Sequence, residues 1–267
     1  FNIMNFISLL TIVSERKDNN QLIAFKKVLS EYNYDYSLKT FHVNDSGIYV
    51  KFKDNNSGKC FQFNGDVYEG FFKEDKPHGK GKMTFVNGDI YQGDWKDGKI
   101  HGNGKITSNG DVYEGDFEDN KANGKGKIIY YNGDVYQGDW KDDMMHGKGK
   151  MTCVNGEIYE GDWEDNGKHG KGKVLFANGN RYQGDWKDDM IHGKGKMTFA
   201  NGNVYQGDWK NGWMYGKGKF TYANGNVYEG DWINEPSGKG KFTYINGDVY
   251  EGDFKNDRMH GKGKMTY

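Results

Sequence analysis

Six histidines each stand directly before a glycine, and histidine suits both metal binding and proton transfer near neutral pH. They are His78, His101, His146, His169, His192 and His260. A metal site needs ligands that converge within a few ångströms, whereas residues that recur on every second strand of a sheet lie about 9.5 Å apart. We therefore expect these histidines to form loop-end hydrogen bonds or to pack their rings, and we expect no metal site.

Two further motifs resemble sites for phosphate and calcium, but neither has the required spacing. The recurring Gly-Lys-Gly-Lys lacks the order Gly-x-x-x-x-Gly-Lys-Ser/Thr, and no copy leads into a helix. The acidic pairs Asp142-Asp143 and Asp188-Asp189 lack the spaced ligands and final glutamate of an EF-hand. We expect the lysines to pair with Glu, Gln and Asp across strands, and the acidic pairs to lie in solvated loops. No nucleophile–base signature is present either, so the sequence predicts no enzyme and no cofactor.

All these motifs recur within one unit of 22 or 23 residues, which is marked by a tyrosine. A fixed period of this size indicates a repeat array, which must be recognised before single motifs are interpreted. The anchor tyrosines are Tyr68, Tyr91, Tyr113, Tyr136, Tyr159, Tyr182, Tyr205, Tyr228 and Tyr250.

Each unit has the pattern of a β-hairpin. In the fourth unit, Tyr136, Gly138 and Trp140 alternate with polar residues and share one face of a strand. After a polar loop, residues 146–152 alternate again, with glycine and methionine on one face and lysine on the other. An Asn-Gly dipeptide opens every unit and predicts a type I′ turn, because both central residues of that turn need a positive φ.

Glycine inside a strand usually marks a close approach by another group. Here the glycines share a face with Tyr and with Trp or Phe. We predict that the aromatic rings lie over glycines of neighbouring strands, so that a single sheet buries much of its aromatic face against its own backbone.

The order Tyr-x-Gly-x-Trp, a short polar loop, His-Gly-x-Gly and a closing Asn-Gly resembles the MORN repeat (membrane occupation and recognition nexus). The resemblance extends from Asn64 to Tyr267 in nine copies. The departures are Phe72, Phe117 and Phe254 in place of Trp, and Asn123, Tyr215 and Ser237 in place of His. Trp213, Met214 and Tyr215 depart from the pattern together, which indicates a bend or a special contact at this point.

The resemblance implies an all-β array, an elongated, single-layer, twisted antiparallel sheet of consecutive hairpins in residues 64–267. Residues 41–63 are interpreted as a degenerate entry repeat. Residues 1–40 are predicted to form a short α-helical segment, since Gln21–Tyr32 has helical spacing of apolar residues after a capping aspartate. This segment either caps the array or docks on a partner. Ile3–Val13 is too short to span a bilayer.

The net charge and the cysteine content indicate which kinds of partner and which cellular compartment suit the protein. With 37 basic and 38 acidic residues, the net charge is −1, so no global field favours nucleic acid or an anionic membrane. Cys60 and Cys153 are expected about 35 Å apart along such a sheet, too far for a disulfide. Free thiols are typical of a reducing compartment, which favours a cytoplasmic location. The family resemblance implies that the protein is associated with the cytoskeleton.

Similar arrays occur in radial-spoke heads and other cytoskeletal structures, so the resemblance implies a structural scaffold in a cytoskeletal, ciliary or axonemal assembly. We predict that a helix or extended peptide of another protein binds along an aromatic trough, since aromatic and Met-rich surfaces are favoured at interfaces. The predicted trough residues are Tyr91, Trp95, Tyr136, Trp140, Tyr159, Trp163, Tyr182, Trp186, Tyr205, Trp209, Trp213, Tyr215, Tyr228 and Trp232.

Two alternatives remain open. The family name implies a tether that binds anionic phospholipid, although lipid attraction needs clustered bases and the lysines here are accompanied by acids. A regulatory arm of a larger enzyme is the other, because similar arrays precede phosphoinositide kinase and methyltransferase domains. The edge of the final strand is an association hazard, so contact with another copy or another protein through the C-terminal edge is also expected.

Overall fold

The computed structural model describes residues 39–52 and 56–267, together with Ile23, Lys26, Lys27 and Ser30. The described strands are β1 (Lys39–Val43), β2 (Gly47–Phe52), β3 (Ser57–Gln62), β4 (Val67–Lys73), β5 (Lys76–Thr84), β6 (Ile90–Lys96), β7 (Lys99–Ser108), β8 (Asp111–Glu118), β9 (Lys121–Ile129), β10 (Val135–Lys141), β11 (Met144–Thr152), β12 (Ile158–Glu164), β13 (Gly167–Leu175), β14 (Arg181–Lys187), β15 (Met190–Thr198), β16 (Val204–Lys210), β17 (Trp213–Thr221), β18 (Val227–Ile233), β19 (Glu235–Thr243), β20 (Val249–Lys255) and β21 (Arg258–Thr266).

These strands belong to two compact units, one ending at Tyr131 and one beginning at Asn132. The first unit contains β1 to β9 and the second contains β10 to β21. Within each unit, strands that are consecutive in the chain pair in antiparallel fashion. The predicted all-β array of consecutive hairpins is confirmed.

The hairpin turns differ from the sequence prediction. Asp142 and Asp143 have φ of +50° and +67° and connect the paired residues Lys141 and Met144. Positive φ at both central residues is the geometry of a type I′ turn. The tightest turn of the repeat is therefore formed by the acidic pair, which was expected to lie in a longer polar loop.

The Asn-Gly dipeptide forms a wider loop in most repeats. In Asn155-Gly156 only the glycine has a positive φ, and its N–H donates to the carbonyl of Cys153 at 3.0 Å. The type I′ prediction for Asn-Gly is wrong here and in the seven other repeats that have the same φ pattern. It is right for Asn109-Gly110, with φ of +50° and +90°. That loop is one residue shorter, so Ser108 and its strand partner close a two-residue turn.

The structure describes only a few residues of the N-terminal segment for which a helix was predicted. Ile23, Lys26, Lys27 and Ser30 are helical and exposed, and Lys27 Nζ donates to the carbonyl of Gly65 at 3.2 Å. The segment Ile3–Val13 and the apolar positions of the predicted helix lie outside the described residues. No helical segment in the described part of the chain is long and apolar enough to cross a membrane. The proposed entry repeat, residues 41–63, contains β2, β3 and the end of β1.

Candidate protein-binding surfaces

One face of each unit carries a continuous row of aromatic side chains, which we call the aromatic row. Tyr159 contacts Trp163 of its own repeat and Trp186 of the next, with ring centroids 5.1 and 5.2 Å apart and ring planes nearly perpendicular. The same two contacts recur from Tyr68 in the first unit and from Tyr136 in the second. Edge-to-face pairs of this kind add to the stabilisation from area burial.

Glycines form the floor beneath these rings. A Cβ atom added to Gly161 would lie 2.5 Å from the Cα of Gly172 and 2.7 Å from the hydroxyl of Tyr159. A Cβ atom on Gly172 would lie 2.5 Å from the same hydroxyl. Real Cβ atoms do not approach other atoms so closely, so both positions exclude a side chain. The prediction that rings lie over glycines of neighbouring strands is confirmed.

Each anchor tyrosine also fixes a β-bulge. The strand register shifts between Gly161 and Asp162, and the hydroxyl of Tyr159 donates to the carbonyl of Asp162 at 2.8 Å. At this bulge Gly170 and Lys171 of the facing strand have no partner on β12, and the tyrosine hydroxyl supplies a donor to the carbonyl of Asp162 beside them. Burial raises the pKa of Tyr228 to about 12, so its hydroxyl keeps the proton that it donates to Asp231.

Twelve of the fourteen predicted trough residues are buried in the aromatic row. Their predicted contact with a partner stays a prediction, but their burial leaves little of their surface for a partner to touch. The buried members are Tyr91, Trp95, Tyr136, Trp140, Tyr159, Trp163, Tyr182, Trp186, Tyr205, Trp209, Tyr228 and Trp232.

The two remaining members, Trp213 and Tyr215, belong to an exposed apolar patch. They are 62% and 45% exposed, and Ile233, the strand partner of Tyr215, is 68% exposed. We call these three residues the apolar patch. Together with Met214 they border a shallow pocket of about 480 Å³, and Lys210 Nζ lies 5.1 Å from the ring centroid of Tyr215.

Sequence reasoning identified Trp213 and Tyr215 as departures from the repeat but missed Ile233. The equivalent residues of the two preceding repeats are Lys187 and Lys210, so the sequence alone shows that the apolar Ile233 departs from the pattern. Its meaning depends on the strand register, which places Ile233 beside Tyr215.

The opposite face of each unit is polar and contains an open groove. Residues directly after the anchor tyrosines point to this face, because side chains alternate along a strand. The first-unit groove, of about 1070 Å³ between β4 and β8, is lined by three lysines, two glutamates, one glutamine, one asparagine and five glycines. The second-unit groove, of about 1320 Å³ between β10 and β16, is lined by six lysines, three glutamines, one glutamate and six glycines.

An aspartate bridges three strands at the rim of this polar face. Asp208 accepts a bond from the Lys217 N–H at 3.1 Å and another from Lys194 Nζ at 2.6 Å. These two donors lower the pKa of Asp208. Equivalent lysine–aspartate pairs recur along the array, so the predicted cross-strand pairing of the lysines is confirmed.

The loop-end hydrogen bond predicted for the histidines is present at His78, and neither cysteine forms a disulfide. His78 Nδ1 accepts a hydrogen bond from the Asp97 N–H at 3.4 Å, as expected for a loop-end contact. Cys60 and Cys153 are free thiols, and burial raises the pKa of Cys60 to about 12. Among the described residues, no three His, Cys, Asp or Glu side chains converge in a way that could hold a metal ion.

Solved structures similar to this chain include two forms of one domain, whereas no curated protein matches it. The wild-type TCP10 domain of Danio rerio CPAP is 14% identical, with a TM-score of 0.41, over 72% of this chain and 94% of that domain. A point mutant of the same domain is 13% identical, with a TM-score of 0.41, over 79% of this chain and 96% of that chain.

The family model for the MORN repeat matches nine consecutive segments, at residues 68–90, 91–112, 113–135, 136–158, 159–181, 182–204, 205–227, 228–249 and 250–267. Each segment begins at an anchor tyrosine, the residue that fixes a bulge and joins the aromatic row. These segments cover well over half of the chain, which therefore belongs to the family of MORN-repeat proteins.

Proposed function

We propose that this MORN-repeat chain is a non-catalytic scaffold that binds protein segments within a cytoskeletal or ciliary assembly, such as a radial spoke. The observation that carries the proposal is the apolar patch. Trp213 is exposed while the other six tryptophans are buried, and it lies with Tyr215 and Ile233 on one surface. Exposed apolar clusters mark interaction sites, and Trp and Tyr are enriched among the residues that dominate binding energy.

The aromatic row supports the patch from the other face of the same strands. The patch lies on β17 and β18, and Tyr205 joins Trp209 on β16 to Trp232 on β18 through ring contacts of 5.0 Å each. A surface held in place before binding loses less conformational entropy when a partner docks. This rigidity suits a scaffold whose task is to present a fixed contact.

A second contact is proposed at the last described strand. β21 is exposed along almost its whole length. Exposed strand edges pair readily with other chains. Association with another copy or with a different protein through this edge would join the array to neighbouring components.

Detergent extraction of cells that express the tagged protein tests the proposal. We expect the wild type to remain in the insoluble cytoskeletal pellet, and the variant Trp213→Ala/Tyr215→Ser/Ile233→Lys to move to the supernatant. The matched control carries Met144→Ala/His146→Ser/Glu164→Lys at the equivalent positions of the fourth and fifth repeats, and it should stay in the pellet.

Two results would contradict the proposal. Release of the wild type by detergent alone would indicate membrane attachment instead of a cytoskeletal role. Retention of the patch variant at the wild-type level would show that Trp213, Tyr215 and Ile233 do not make the contact.

A further inference from the structure

The second-unit groove has an excess of positive charge. The first lysine of most Gly-Lys-Gly-Lys segments, including all three in this groove, is paired with an aspartate on the next strand, as Lys194 is with Asp208. The second lysine of each segment lacks this partner and depends on the residue that follows each anchor tyrosine. This groove contains one carboxylate, that of Glu160, which lies 3.1 Å from Lys173 Nζ, for three second lysines, Lys150, Lys173 and Lys196.

The excess of positive charge is greatest around Lys196. Its strand partners are Gln183 on β14 and Gln206 on β16, both neutral. The equivalent first-unit lysine, Lys105, lies between Gln92 and Glu114 and so has a carboxylate beside it. Lys196 therefore presents an exposed ammonium group, flanked by amides, to whatever enters the groove.

The spacing of the second lysines selects a conformation of the ligand. Lys150, Lys173 and Lys196 lie on β11, β13 and β15, two strands apart, which corresponds to about 9.5 Å per step. A polyproline II helix has three residues per turn and rises about 9.3 Å per turn, so every third side chain projects in the same direction at nearly this spacing. A β-strand does not match, because its side chains return to the same face every second residue, at about 6.7 Å.

The glutamines suit the backbone of such a ligand. A polyproline II segment makes no internal backbone hydrogen bonds, so its carbonyl groups need external donors. The amides of Gln183 and Gln206 can donate to them, and each amide also offers an acceptor. The groove extends over seven strands, about 29 Å before curvature, which is the length of about nine residues in this conformation.

We propose that the second-unit groove binds an acidic protein segment in the polyproline II conformation, with a carboxylate at every third residue and with Lys196 as the specificity-determining residue. The groove and the apolar patch share no residues, so the two sites can be tested separately. Lipid-binding sites use clusters of about four to eight uncompensated bases, more than the three second lysines of this groove.

Fluorescence anisotropy with the purified full chain tests the proposal. The probe is a labelled peptide of about twelve residues that repeats Glu-Pro-Pro, and the comparison peptides repeat Lys-Pro-Pro or alternate Glu with Thr. We expect binding of Glu-Pro-Pro, no binding of Lys-Pro-Pro, and about tenfold weaker binding of the alternating peptide. Lys196→Glu should weaken Glu-Pro-Pro binding at least about tenfold, because it places a like charge opposite the ligand.

Matched variants separate the groove from general charge effects. Lys105→Glu makes the same change in the lining of the first-unit groove and should change affinity less than about twofold, since salt screens an exposed charge that lies outside the binding groove. Gln183→Glu leaves Lys196 in place but supplies a carboxylate, and it should also weaken binding. The apolar-patch variant should bind the peptide as the wild type does, so this test does not depend on the proposed cytoskeletal role.

Several outcomes would overturn the proposal. Failure of Glu-Pro-Pro to bind, or wild-type affinity in a Lys196→Glu variant that keeps the wild-type melting temperature, would exclude the groove. Equal affinity for the alternating peptide would exclude the conformational match. If inorganic phosphate or phosphatidylserine vesicles bind as tightly, with the same dependence on Lys196, the groove is a general anion site.

Discussion

The two polar grooves are built from the same positions of the repeat, yet they differ in charge. Glu69 and Glu114 each stand beside second lysines of the first-unit groove, whereas Gln183 and Gln206 occupy the equivalent places around Lys196. The change from Glu to Gln leaves the other face of the sheet unaltered. Charge on one face can therefore vary from repeat to repeat without disturbing the residues that hold the array together.

The aromatic row shows the opposite behaviour and is nearly the same in both units. Tyr113 contacts Phe117 with a centroid distance of 5.1 Å and a plane angle of 81°, and Tyr159 contacts Trp163 at 5.1 Å and 89°. We therefore infer that the aromatic face stabilises each unit and that the polar face binds partners. Four kinds of substitution test this division, in order of decreasing effect.

Replacement of a buried tryptophan should have the largest effect. Trp163 is 5% exposed and contacts two tyrosines, so Trp163→Ala should lower the free energy of unfolding by about 3–5 kcal/mol. Trp213→Ala, in the apolar patch, should lower it by less than about 0.5 kcal/mol. Urea unfolding of both variants gives the comparison, and similar losses would contradict the different roles given to these tryptophans.

A side chain at a floor glycine should have the next largest effect, and it should be equal in the two units. An added Cβ atom lies 2.5 Å from the facing glycine Cα at both Gly161 and Gly115. Gly161→Val and Gly115→Val should each cost about 2–3 kcal/mol through overpacking. The control Lys150→Ala should be nearly neutral in the same thermal melts. A large loss in only one unit would show that the two aromatic rows are not equivalent.

Loss of one hydroxyl should have a smaller effect. Tyr159→Phe and Tyr113→Phe remove the bonds to the carbonyls of Asp162 and Asp116, at 2.8 and 3.0 Å. Each should cost about 1–2 kcal/mol, because the bulge carbonyl loses its donor while the ring remains. Hydrogen exchange at the bulge residues should rise in both variants. Unchanged exchange would mean that the bulge holds without the tyrosine.

Acid should produce the smallest effect. The side chain of Lys194 and the N–H of Lys217 hold the pKa of Asp208 below its usual value of 3.8. A depressed pKa contributes stability above pH 3.8, and this contribution is lost as pH falls through the lower folded-state value. Asp208→Asn should reduce stability at neutral pH by less than about 1 kcal/mol, since the pair is partly exposed. Its melting temperature should also fall less than that of the wild type on acidification below pH 3.8. If the melting temperature of the variant falls as much as that of the wild type on acidification, Asp208 does not contribute to the acid dependence of stability.

Much of the fold could be predicted from the sequence because the determinants are local. The alternation around Tyr136 indicates a strand, and glycine on the same face indicates a ring above it. The turn types could not be assigned from dipeptides alone. Asn109-Gly110 and Asn155-Gly156 have the same residues, but loop length decides which one adopts a type I′ turn.

The surfaces were harder to predict because they depend on contacts between repeats. The pattern of one repeat leaves one side of each ring open. In the structure Tyr136 contacts Trp163 of the next repeat, and both side chains are buried. The groove around Lys196 depends on which residues the strand register places beside it. The departure of Trp213 and Tyr215 from the repeat pattern indicated a bend or a special contact, and the structure shows that both side chains are exposed.

One double variant tests the division between the two faces most directly. Gln183→Glu/Gln206→Glu gives Lys196 carboxylate neighbours on both sides without touching the aromatic row. Peptide binding and thermal unfolding are measured on the same sample. We predict that affinity for the Glu-Pro-Pro peptide falls by about tenfold or more while the melting temperature changes by less than about 2 °C. Unchanged affinity, or a loss of affinity only in proportion to a loss of stability, would contradict the account.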